Sequence, residues 1–302
     1  MAPLLPIVAV LSATGTQGQA IVKTLSKSSR YAVRALTRDP RSTKAEELEK
    51  LPHVTAVDTA DFDKAFKGVE AVYACTVTGP DEVQVVKNAA DAAQRAGVKL
   101  FIFSSLNSVK EDTDGKIDYA YHHERKLEVE KYLKTLKVPS IVLHLSSFTD
   151  NFLKFDLLKY EKNEFTMVMN MAGIDTEHPQ TYIGADLGNV VLLLLDNYEQ
   201  TPTLFQSPIP VISYKMRFGD HAEILEKLTG RKVNSIVLDT FTGKESSTDS
   251  FERSLDGMRK YFDEYGMFKG KPLIDPRLAD LGYKPHDFEH YVKEVIIPTF
   301  NL

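Results

Sequence analysis

The sequence has no tryptophan, one cysteine, no long apolar run and no excess of basic charge. Each shortage excludes something. A lone cysteine, Cys75, forms no internal disulfide and fits a reducing, intracellular setting; the expectation is a cytoplasmic protein, with the nucleus left open. The apolar run at 190–195 falls far below the roughly 20 residues of a bilayer span. The apolar start at 4–11 has no basic leader and runs into a glycine turn, so it reads as a buried strand rather than a targeting signal. A net charge of −5, from 37 basic and 42 acidic residues, argues against direct binding to nucleic acid and leaves protein partners open. At 302 residues, 43% hydrophobic and 26% charged, the chain suits one large globular domain with a smaller partner.

What is present is an alternation of short apolar runs with helical patterns, the mark of a parallel sheet with helices on both faces. Strands are predicted at 7–11, 31–37, 53–58, 71–76, 100–103 and 140–144. One helix starts at Gly18, with Ile21, Val22 and Leu25 as its buried stripe; others cover 81–97 and 118–137. Thr43 and Glu46 form a capping-box pattern for a short polar helix ending before Pro52. Residues 153–180 are irregular and read as a lid or a loose addition to the sheet. Asp186 opens an apolar helix that returns to the sheet. From Pro208 onward follow a strand, a helix (220–229), a strand (232–238) and two helical stretches. The expected fold is α/β: a doubly wound parallel sheet (Rossmann) from residues 1–152 and about 181–206. A smaller mixed α+β carboxyl-terminal domain, from about 153–180 and 207–302, walls a cleft.

Between the first strand and helix lies Ser12-x-x-Gly15-x-x-Gly18, the strand–turn–helix context in which a glycine turn receives a dinucleotide pyrophosphate. Gly15 would let the backbone approach the phosphates and Gly18 would let the helix pack on its strand. The amides at the helix start then face the anion, which makes Thr14, Gly15, Thr16, Gln17 and Gly18 the candidate pyrophosphate site. Ser12 stands where the usual pattern has a first glycine, and an ordinary glycine turn is the alternative reading. Twenty positions after Gly18, Arg38 ends the second strand, where a guanidinium matches a 2′-phosphate bidentately. With Arg41 and Lys44 close by, this favours NADP(H). An NAD site would place an acid there for the ribose hydroxyls, and Asp39 keeps NAD(H) open.

Asp58 is placed for the adenine edge or, like Asp61, for capping a helix. Thr76 and Val77 follow the fourth strand, at the sheet end where ligands gather. Cys75 reads as a small core residue. No metal site is assigned.

Hydride transfer needs a proton donor for the oxygen that gains charge. Short-chain dehydrogenases use a tyrosine, a lysine one helical turn later and a serine after strand five. Here the serine candidates are Ser104 and Ser105, and the lysine is Lys126. His122, Lys126, Val129 and Leu133 share one helix stripe that must face the sheet, so Lys126 is placed for the nicotinamide ribose. His122 stands in the tyrosine's place. It reads either as the proton donor or as a polar wall residue or satisfied buried histidine; Tyr121 is rotated off the stripe and Tyr119 lies further back.

Together these features resemble the NmrA-like family, atypical members of the short-chain dehydrogenase/reductase superfamily. The resemblance rests on Ala13-Thr14-Gly15-Thr16-Gln17-Gly18, Thr37-Arg38-Asp39-Pro40 and the stretches 126–132, 145–152 and 182–188. It is good to about residue 200 and thin afterwards. It implies an extended Rossmann domain binding NADP(H). Members that lack the tyrosine and keep the lysine include sensors of the NADP(H) balance that bind regulatory proteins, while related proteins reduce quinones or plant phenolic compounds. By position it implies Phe148 and Asn151 near the nicotinamide and Ser147 in the site wall. The departures are Ser12, and His144 and Ser146 where the family tends to have arginine and proline. Two functions follow. One is a redox-sensing regulator acting through protein partners, with cofactor binding biasing residues 153–180. The other is an NADPH-dependent oxidoreductase for a quinone, carbonyl or similar small acceptor in the inter-domain cleft.

Overall fold

Successive side chains of a strand point to opposite faces, so the run Ile7-Val8-Ala9-Val10-Leu11 needs cover on both. The computed structural model describes residues 4–76, 79, 81–240 and 250–302. It places this run (β1, Ile7–Leu11) inside a seven-stranded sheet. The sheet continues with β2 (Ala32–Thr37), β3 (Val54–Asp58), β4 (Ala71–Cys75), β5 (Leu100–Ser105), β6 (Ser140–Leu145) and an edge strand, Ile209–Val211. Every neighbouring pair is parallel. Val8 and Val10 pack on one face with Ile21, Val22 and Leu25 of the helix Thr16–Ser28 and with Val190 and Leu194 of the helix Gly188–Asn197. Ala9 and Leu11 pack on the other with Val86 and Ala90 of the helix Glu82–Arg95 and Val129 and Leu133 of the helix Tyr121–Leu133. This is the doubly wound parallel sheet that the alternating runs predict.

The strand order is Ile209–Val211, β6, β5, β4, β1, β2, β3. The chain builds outward from β1 through β2 to β3, then returns to β4 on β1's other side. That reversal opens a crevice beyond the carboxyl ends of β1 and β4, where open α/β sheets bind ligands.

Three expectations are corrected. The helix after Pro40 starts at Thr43, so Thr43 is already helical and Ser42 takes the capping position. No side chain caps it, because the Ser42 hydroxyl donates instead to the Asp39 carbonyl at 2.8 Å. Residues 153–180 are not irregular. They contain an antiparallel hairpin, Leu158–Glu161 with Glu164–Met169, and the strand Glu177–Thr181. The hairpin turns on Lys162 and Asn163, both with positive φ (50° and 68°), a primed two-residue turn made without glycine. Val233–Val237 then adds parallel to Glu164–Met169. Finally, Ile209–Val211, expected in the smaller domain, pairs with β6 and extends the large sheet.

Phe165, Met167 and Met169 alternate into a separate core with Phe218 and Leu225 of the helix Phe218–Thr229 and Tyr261 and Phe262 of the helix Ser250–Glu264. Asp186 ties this part to the large sheet's helices. It is fully buried and accepts from the Ser213 hydroxyl, from the His286 amide at 3.1 Å and from His286 Nδ1 at 2.6 Å. No helix among the described residues is long and apolar enough to cross a membrane.

Candidate functional site

β1 ends at Leu11, and Ser12 takes a left-handed φ of 57°, a conformation glycine adopts more readily. The Gly15 amide donates to the Ser12 carbonyl at 2.9 Å and closes the turn. A Cβ on Gly18 would lie 2.4 Å from the Ser12 oxygen and 2.5 Å from the Ala13 Cα, so only a hydrogen atom fits between helix and turn. Gly15 occupies the capping position of the helix Thr16–Ser28 and no side chain caps that end. Among the described residues no side chain accepts from the first helical amides, at the positive end of the dipole, the setting that receives an anion. Gln17 is fixed from below, its Oε1 accepting from the Tyr73 hydroxyl at 2.5 Å.

The turn borders a cleft of about 820 Å³. Of the residues expected in the site, Gly15, Thr16, Gln17 and Gly18 line one end of it. Thr76, Ser104, His122, Lys126, Ser147 and Phe148 line it as well, together with Asn151. Thr14, Arg38, Lys44 and Asp58 do not border it. The Thr14 carbonyl accepts from Gln19 Nε2 at 2.8 Å. Arg38 and Lys44 are exposed near the end of β2, and neither enters an ion pair among the described residues. The carboxylate of Asp39 takes the Arg41 amide at 3.0 Å. Asp58 accepts the Ala60 amide at 2.8 Å and Asp61 caps a short helix through the Lys64 amide at 3.0 Å. Val77 lies outside the described residues.

The helix Tyr121–Leu133 carries the lysine inward. Val129 and Leu133 are buried against the sheet, and one and two turns earlier Lys126 and His122 reach the cleft. Lys126 Nζ donates to Thr76 Oγ1, and burial pushes its pKa down against the opposing pull of Cys75 and Glu82. Ser104 is buried at the end of β5, beside the same cleft. The neighbouring Cys75 thiol is buried and pushed up by desolvation. Folded protein should therefore react with an aromatic disulfide reagent at least ~100-fold more slowly than unfolded protein, and equal rates would contradict this burial.

His122 has a different setting from that of a working acid. Its Nδ1 lies 2.7 Å from Ser254 Oγ, its amide donates to the same oxygen at 3.2 Å, and Nε2 lies 3.3 Å from Met258 Sδ. Burial, then the nearby His123, Lys126 and Arg125, push its pKa well below the usual imidazole range. At neutral pH it is an uncharged ring that fastens the helix Tyr121–Leu133 to the helix Ser250–Glu264.

The far wall of the cleft escapes the sequence reading. Phe251, Leu255, Met258 and Phe262 line it from the helix Ser250–Glu264 at spacings of four, three and four. That helical stripe is the signal that identifies them. Glu130 escapes as well. It is buried, accepts the Ser105 hydroxyl and lies 2.9 Å from His144 Nε2, so His144, where the family tends to have arginine, has a buried partner. Ser146, the other departure, pairs its hydroxyl with Thr181 Oγ1 at 2.7 Å.

The sequence profile of the NmrA-like family matches residues 6–292. The chain belongs to the NmrA-like family. It is 27% identical over 306 residues to an NmrA-like family domain-containing protein of Dictyostelium discoideum, covering 95% of this chain and 97% of that one. It is 25% identical over 301 residues to an NmrA-like family domain-containing oxidoreductase of Penicillium ochrochloron, covering 90% and 88%. Among solved structures, NmrA, a negative transcriptional regulator, in complex with NAD superposes with a TM-score of 0.80 at 20% identity, over 99% of this chain and 98% of that one. The complex of NmrA with NADP gives 0.78 at 20% identity and the same coverage. At this identity the likeness to NmrA shows a shared fold.

Proposed function

We propose that this NmrA-like chain is an NADP(H)-binding redox sensor that acts through a protein partner. The observation that carries the reading is a cleft that pairs a dinucleotide-type turn with no working proton donor at the tyrosine position. At one end is a glycine turn with no room for a Cβ and uncapped helix amides; beside it one helix carries an inward lysine and, in place of a tyrosine acid, a neutral His122 tethered to the apolar far wall. In this reading Gly15 to Gly18 hold the pyrophosphate, and Arg38, with Arg41 and Lys44, holds the 2′-phosphate outside the cleft. Lys126, partnered by Thr76, holds the nicotinamide ribose, with Ser147 and Phe148 as wall. The bound cofactor supplies a hydride donor or acceptor. Lys126 and His122 are one helical turn apart, and His122 grips Ser254 and Met258. A change in the bonding of Lys126 therefore bears on the helix Ser250–Glu264 and on the outer surface it presents. Likeness to NmrA, a regulator solved with NAD and with NADP, supports this reading by analogy. The buried thiol supports a cytoplasmic setting.

One observation favours a second reading, an NADPH-dependent oxidoreductase. Beside Lys126 and Ser104 the cleft is lined by Phe152, Phe155, Leu157 and Phe262, room for a flat acceptor such as a quinone. The Penicillium relative bears the name oxidoreductase. NADPH consumption over a panel of quinones and aldehydes separates the two. The sensor reading expects no turnover above the uncatalysed rate, and turnover abolished by Lys126→Ala establishes the enzyme. In either case Lys126→Ala should weaken NADPH binding about tenfold, the loss of one charge-assisted hydrogen bond.

A further inference from the structure

A second histidine borders the cleft. His123 is fully buried, and its Nδ1 lies 2.8 Å from the Asn107 carbonyl oxygen. A carbonyl only accepts, so Nδ1 carries the proton. Burial pushes the pKa of this ring down to about 4, which keeps it neutral. Nε2 is then a bare lone pair, and no group among the described residues donates to it. Gln180, on the strand Glu177–Thr181, is also buried, borders the same cleft and has no donor to its Oε1 among the described residues. The Tyr261 hydroxyl, whose ring meets His123 edge-on at 6.5 Å, is already engaged by Asp112 and Asn107.

The charges nearest His123 are already partnered, Lys126 by Thr76 and Asp112 by Asn107 and Tyr261. No carboxylate among the described residues lines the cleft. Among the described residues its ammonium groups are engaged, Lys126 with Thr76 and Lys154 with Thr16 Oγ1 at 3.0 Å. Phe152, Phe218, Met258 and Phe262 supply flat and polarizable surface. A cation would find no counter-charge among the described lining residues, and an anion would face a lone pair. A buried acceptor is costly until a donor reaches it, so the site discriminates strongly by that one bond.

We propose that His123 is the specificity-determining residue of a ligand site in this cleft. The site takes an uncharged, planar, apolar ligand that presents one hydrogen-bond donor to His123 Nε2, with Gln180 as the second polar contact. It goes beyond cofactor binding and holds for an effector, or for a hydride acceptor that, unlike a simple quinone, carries an N–H or O–H donor.

The test compares 2-naphthol with 2-fluoronaphthalene, which has nearly the same shape and no donor, on the full chain with and without NADP⁺. Naphthalene fluorescence reports binding without interference from tryptophan, which the sequence lacks. 2-Naphthol should bind about tenfold tighter, against its lower hydrophobicity. His123→Phe, which keeps a ring and removes the lone pair, should reverse the order, and Gln180→Met should narrow the gap. Equal or tighter binding of 2-fluoronaphthalene to the wild-type chain overturns the proposal, whether or not the variants fold. An unchanged preference in folded His123→Phe overturns it too. The comparison is readable without cofactor, so a failure of NADP(H) binding and a failure of this proposal are distinguishable.

Discussion

Gly18→Ala is expected to lower NADPH affinity about 100-fold and stability by about 1–3 kcal/mol, the range for overpacking a tight site. The added Cβ would meet the Ser12 oxygen at 2.4 Å and the Ala13 Cα at 2.5 Å. Both are backbone atoms of the turn itself, so no side chain swings aside; the helix Thr16–Ser28 must move by about an ångström to reach ordinary van der Waals distance. Its amides move with it, and anion binding by aligned amides depends on their convergence. At Gly15 a Cβ would lie 3.2 Å from the Ser12 oxygen, a milder contact, so Gly15→Ala should cost less. Calorimetric titration and a urea denaturation curve check both effects. Wild-type affinity in folded Gly18→Ala would show that the close approach serves packing alone.

Arg38→Ala is the second large effect: NADPH affinity should fall about 10- to 100-fold while NADH affinity stays within about twofold. The guanidinium is exposed and outside every ion pair among the described residues, and the acid beside it, Asp39, is occupied by the Arg41 amide. A charge-assisted hydrogen bond of about 1.5–3 kcal/mol gives the expected range, and added salt should shrink it because the site is open to solvent. Equal losses for the two cofactors would place Arg38 elsewhere than at the 2′-phosphate.

Much of this was legible in the sequence because the large sheet is buried on both faces. Such strands read as unbroken apolar runs, and β1, β4 and β5 stand out for that reason. The glycine turn and Lys126 were legible because their spacing encodes geometry directly: one residue type at a tight approach, one helical repeat from Val129 and Leu133. The smaller part was harder. Its hairpin turns on Lys162 and Asn163 instead of an Asn-Gly pair, so the alternation of Phe165, Met167 and Met169 had no turn to frame it. The edge strand Ile209–Val211 has three residues, too few for a period. Glu130, His123 and Gln180 stand apart for another reason. Their roles depend on partners distant in the chain, Ser105 and His144 for Glu130, and no local pattern announces a partner.

The proposed function stands or falls with the glycine turn and Arg38 together holding NADP(H). Calorimetric titration of the unmodified chain with NADPH and with NADH tests it most directly. Saturable 1:1 binding of NADPH is expected at sub-millimolar concentration, at least about tenfold tighter than NADH. Binding of neither, or binding of NADH as tight as that of NADPH, would contradict it.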